Sequence, residues 1–66
     1  MEIVLNGEPH TAPEGCTVTG LLESLPIDPG RVAVELNGSI VRKPDWGSTV
    51  LAAGARVEVV MFVGGG

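Results

Sequence analysis

Sixty-six residues hold one domain at most. Four basic against eight acidic side chains leave a net charge of −4, which argues against nucleic-acid binding, since that wants a basic stripe. One Cys and one His exclude an intrachain disulfide and argue against an intrachain zinc cluster.

Glu2-Ile3-Val4-Leu5 alternates weakly and is β-branched, so it reads as a strand. Asn6-Gly7 follows, a dipeptide that tolerates positive φ at both centres of a tight hairpin turn. Glu8–Thr11 is the expected return strand, and Pro9, which lacks a ladder donor, assigns it to an edge. Thr17 is a helix cap. Val18, Leu21, Leu22 and Leu25 then make one apolar helical face, and Pro26 ends it. Gly20 within this run costs about 1 kcal/mol against Ala. Ile27–Gly30 is turn-rich.

Arg31–Leu36 alternates again, and Asn37-Gly38 sends it back as Ser39-Ile40-Val41. Arg42–Gly47 reads as a loop or one helical turn, with Trp46 over a core edge. Thr49-Val50-Leu51 reads as a short strand. Arg56–Phe62 is the longest strand. The set expected to face the helix is Ile3, Leu5, Val32, Val34, Leu36, Val57, Val59 and Met61. Val4, Val60 and Phe62 share the phase of Glu2 and Glu58, so they point away from the helix. Apolar side chains ringed by acids form a docking patch for a basic-rimmed partner.

The longest unbroken apolar stretch, Val59–Val63, is far short of the ~20 residues a membrane helix needs. The first seven residues lack the basic and long apolar regions of a signal peptide. A lone Cys without an export signal fits a reducing cytoplasm. Cys16 and His10 are the sole nucleophile–base candidates, and no third group orients them; they read as a loop thiol and a solvent imidazole. The carboxylates are scattered along the chain. No catalytic residue is assigned.

The ending Phe62-Val63-Gly64-Gly65-Gly66 stands apart. Its glycines follow the longest apolar strand directly, and residues 63–66 read as a flexible tail. Extended, four residues from Val63 reach about 13–14 Å. Lacking Cβ atoms, the glycines fit a slot too narrow for other residues.

The whole chain resembles the ThiS-type sulfur carriers of thiamine biosynthesis, in the ubiquitin-like β-grasp superfamily. The resemblance runs through Ile3-Val4-Leu5-Asn6-Gly7, the Thr17…Leu21-Leu22…Leu25 helix, Trp46, Thr49-Val50-Leu51 and Gly54…Arg56-Val57-Glu58. Its specific parts are Val32-Ala33-Val34-Glu35-Leu36-Asn37-Gly38 and the ending Phe62–Gly66. Gly20 and Ser39 depart from the usual pattern, and neither touches the tail.

The resemblance implies a single α+β domain over 1–66: a mixed four- to five-stranded sheet with one helix on one face, and first and last strands parallel at its centre. It implies that Gly66 carries the chemistry, adenylated by a ThiF-type enzyme using ATP and then converted to a thiocarboxylate. Gly64 and Gly65 give access to it, and Val4, Val60, Phe62 and Val63 meet the partners. Those partners are the ThiF-type enzyme, thiazole synthase and a sulfur-donor system. No cofactor is held permanently. The same fold also serves molybdopterin synthesis, cysteine synthesis, tRNA thiolation and protein tagging, and a plain interaction module with an unmodified tail is the reading outside this class.

Overall fold

A computed structural model describes residues 1–62. The chain runs β1 (Glu2–Leu5), β2 (Glu8–Thr11), α1 (Val18–Glu23), β3 (Val32–Leu36), β4 (Ser39–Val41) and β5 (Arg56–Met61). Single 3-10 turns lie at Pro29–Arg31 and Lys43–Asp45. The strands form one sheet ordered β2-β1-β5-β3-β4. It is mixed, because β1 and β5 pair in parallel and every other neighbouring pair is antiparallel.

Local chemistry fixes both hairpins. Asn6 and Gly7 sit at φ +49° and +83°, and Asn37 and Gly38 at +52° and +88°. Two successive positive φ angles make the turn whose twist matches the flanking strands. The registers follow: Leu5 faces Glu8, and Leu36 faces Ser39.

Helix α1 begins where expected. The Thr17 hydroxyl accepts from the Gly20 N–H at 3.1 Å. The Val18 and Thr19 amides donate to the carbonyls of Thr49 and Trp46, so the first-turn donors have partners. The helix ends earlier than expected, at Glu23. Ser24 caps it, and its hydroxyl donates to the Leu21 carbonyl. Residues before a proline avoid the helical region, which shortens a helix running into Pro26. Leu25 therefore lies beyond the helix, half-buried against the core.

Val18, Leu21 and Leu22 pack on Ile3, Val32, Val34 and Val57, all nearly or fully buried. Leu5, Leu36 and Val59 join them half-buried. Met61 does not: it is 55% exposed. A six-residue helix is about 9 Å long, whereas six strand residues span about 20 Å, so β5 outruns its cover. Residues 49–51 form no strand of the sheet. Val50 makes one bridge to Thr17, and Leu51 N–H donates to the Cys16 carbonyl, which ties this segment to the start of α1. Trp46 is buried at the core edge, its indole N–H donating to the Val41 carbonyl at 2.9 Å.

Candidate functional site

The face of the sheet away from α1 carries the side chains alternate to the core set. From β1 and β5 come Glu2, Val4, Arg56, Glu58 and Val60. Strand β3 adds Ala33 and Glu35, and β4 adds Ile40, whose partner in register is Glu35. Val60 lies opposite Ala33. Beyond β5, Phe62 is held by its N–H donating to the Arg31 carbonyl at 2.8 Å. Ile40, Val60 and Phe62 are 71%, 52% and 64% exposed.

These three large side chains gather at the end of the sheet where β5 runs toward the glycines. Val4 shares the face but stands apart. It is half-buried opposite Arg56, four residues along β5 from Val60, or about 13 Å. Ile40 takes the place that the alternation pattern had given to Val4. Its phase was readable, because the Asn37-Gly38 turn sets Leu36 opposite Ser39 and hence Ile40 opposite Glu35.

Glu35 and Glu58 are direct partners across β3 and β5. Like charges in that relation destabilise a sheet and favour a cation from elsewhere. The β3–β5 ladder has no local signal in the sequence, so this juxtaposition emerges only from the fold.

Asn6 and Asn37 do more than turn the chain. Val59 N–H donates to the Asn6 side-chain oxygen at 2.7 Å, and the Asn6 amide donates back to the Val59 carbonyl at 3.3 Å. Arg56 N–H donates to the Asn37 side-chain oxygen at 2.9 Å. Asn6 thus continues, with its side chain, the pairing that β1 ends at Leu5. Asn6→Gly keeps the positive φ and removes two hydrogen bonds. It is expected to lower stability by about 1–3 kcal/mol in urea unfolding and to speed amide exchange at Val59.

His10 and Cys16 line the same cleft beside α1, of about 520 Å³. No hydrogen bond joins them among the described residues. The Cys16 thiol donates instead to the Thr17 carbonyl at 3.3 Å. Among the described residues no three His, Cys, Asp or Glu side chains form a metal-binding group. No helix there is long and apolar enough to cross a membrane. Val63, Gly64, Gly65 and Gly66 lie outside the described residues.

A family model described as the ThiS family matches residues 3–66. The chain belongs to the ThiS family. The crystal structure of the thiamine biosynthesis protein ThiS from Geobacter metallireducens superposes with a TM-score of 0.88 at 36% identity, covering all of both chains. The β-grasp fold and the resemblance drawn from sequence are thereby shown. ThiS-family chains are small carriers rather than catalysts. Two relatives named thiazole synthase match the entire chain, at 48% identity in Magnetococcus marinus and 39% in Paramagnetospirillum magneticum. The chain spans 20% of the length of each. A Porphyra purpurea protein named ycf40 is 32% identical over the whole chain and 93% of its own length.

Proposed function

We propose that this chain carries sulfur to thiazole formation in thiamine biosynthesis, on the carboxylate of Gly66. The observation that carries the reading is the ThiS-family match, which extends through the terminal glycines. The two relatives named thiazole synthase favour that enzyme as the sulfur acceptor.

An α-carboxyl group is ionised at neutral pH and is a poor electrophile. Its oxygen attacks the α-phosphate of ATP on a ThiF-type enzyme, and pyrophosphate leaves. A sulfur nucleophile from the donor system then attacks the acyl carbon, and AMP leaves. The product is a terminal thiocarboxylate. The chain itself holds no cofactor and supplies no acid or base; it supplies the acyl group and the docking face. Mass spectrometry after incubation with the activating enzyme, ATP and a sulfur donor tests this. The expected change is one oxygen replaced by sulfur at Gly66, and an unaltered mass would overturn it.

Ile40, Val60 and Phe62 beside Glu35 and Glu58 fit an apolar partner surface rimmed by cations. Glu58→Lys separates the two roles of that carboxylate. Placing a cation opposite Glu35 should raise stability by ~0.2–1 kcal/mol. The same change should slow association with the activating enzyme and flatten its salt dependence. Stopped-flow association and thermal melting read the two effects. A variant that docks at the parent rate would remove Glu58 from the interface.

A further inference from the structure

The chain carries two amines, the Met1 α-amino group and Lys43, and one thiol, Cys16. The fold sets them at opposite ends of the sheet. Val4 pairs with Arg56 in parallel, Met1 precedes Val4 by three residues, and Phe62 follows Arg56 by six. About 30 Å of strand therefore separates Met1 from Phe62. The Met1 ammonium is also held there, donating to the Ala12 carbonyl at 2.7 Å. Ala12 N–H donates back to the Met1 carbonyl, and Cys16 N–H donates to the Pro13 carbonyl, which keeps the thiol at the same end as Met1.

Lys43 lies at the other end. Strand β3 separates β4 from β5, with Val34 opposite Val41 and Val32 opposite Met61. Two residues past Val41, Lys43 opens its 3-10 turn near the level of Met61, about two strand spacings, or 10 Å, across the sheet. Lys43 and Phe62 line one cleft, of about 380 Å³, with Trp46 between the elements that carry them. The Lys43 ammonium stands 5.9 Å from the centre of the Trp46 ring. Fully extended, residues 63–66 reach about 13–14 Å, and a lysine side chain adds about 6 Å. That length covers the distance to Lys43 and falls far short of Met1.

We propose that Lys43 is the internal acceptor of the Gly66 acyl group when that group is activated and no sulfur nucleophile arrives; this rests on the carrier reading. The uncharged Lys43 amine attacks the acyl carbon and a C–N bond forms. The C–O bond to AMP breaks, AMP leaves with the electron pair, and the surplus proton passes to water. The product is an isopeptide ring closed from residue 43 to residue 66. It has no terminal carboxylate and accepts no further AMP, so sulfur transfer and ring closure compete for each activated chain.

The full chain carrying Gly66 as a thioester of 2-mercaptoethanesulfonate isolates this step from the activating enzyme, with the thiol leaving in place of AMP. At mildly alkaline pH the expected product is one water lighter than the free acid, forms at a rate independent of protein concentration and survives hydroxylamine. Cleavage after glutamate should leave residues 36–58 joined to residues 59–66. Lys43→Arg keeps the charge and should slow closure at least tenfold, with an unchanged melting transition. Adding Glu2→Lys, which puts an amine at the Met1 end, should not restore it. Hydrolysis alone, closure at Met1, a hydroxylamine-sensitive product or parent-rate closure in Lys43→Arg would overturn the inference, as would products joining two chains. The same ring is expected with the activating enzyme and ATP in the absence of a sulfur donor. A chain that exchanges pyrophosphate yet forms no ring would overturn this inference and leave the carrier reading intact. A chain that exchanges none would overturn the carrier reading, and the thioester still decides whether Lys43 is the acceptor.

Discussion

Gly65→Val is expected to cut adenylation at Gly66 by about 100-fold or more while leaving the melting transition unchanged. On the proposed function, the carboxylate must reach the α-phosphate of ATP inside a partner. Residues 63–66 give a reach of about 13–14 Å when extended. A β-branched side chain next to the last residue widens the strand that must enter the passage. In-line attack also needs the reacting atoms within about 3–3.5 Å, which a displaced backbone does not provide. Stability should be untouched, because no buried side chain of the described core comes from beyond Val57. Deleting Gly66 should act similarly, withdrawing the carboxylate by about 3.5 Å. ATP–pyrophosphate exchange measures both. Parent-like exchange in both variants would mean that the glycines are not the site of activation.

Leu22→Ala should remove ~2–5 kcal/mol. Leu22 is 1% exposed, at the centre of the face that α1 turns to the sheet. The described core holds only eleven buried apolar residues, two of them alanines. A chain of this size has a few kcal/mol of net stability to lose. The variant should therefore be largely unfolded at 37 °C, with a collapsed urea midpoint. An unchanged midpoint would contradict the packing of α1 on Ile3, Val34 and Val57.

Features with local causes were legible in the sequence. Asn6-Gly7 and Asn37-Gly38 name their own backbone angles, and Thr17 marks the start of α1 through a bond three residues away. The helical stripe and the inner residues of β1 and β3 follow from periodicity. Features set by distant neighbours were not. Asn6 and Val59 bond across 53 residues, and nothing near Asn6 announces it. Glu35 meets Glu58 only because β5 lies beside β3. Met61 has the phase of a core residue, and its exposure depends on where the helix stops above it. The parallel pairing of β1 with β5 came from the family resemblance, since spacing alone does not order a sheet. The glycines were conspicuous by position; the phase of Ile40 was readable from the Asn37-Gly38 turn, but its place near Val60 and Phe62 depends on β5 lying beside β3.

That parallel pairing governs timing during synthesis. Strand β1 leaves the ribosome first, and its central neighbour β5 some fifty residues later. Until then β1 has only β2, and an isolated two-stranded hairpin is marginal in water. Val34 and Ile3 likewise stay without the strand that separates them in the sheet. Such long-range closure places folding among the slower topologies for so short a chain. Translation that stalls before Arg56 leaves a polypeptide that proteases can clear. Completing β5 supplies the strand that joins the two hairpins, so the sheet closes in one late step rather than growing strand by strand.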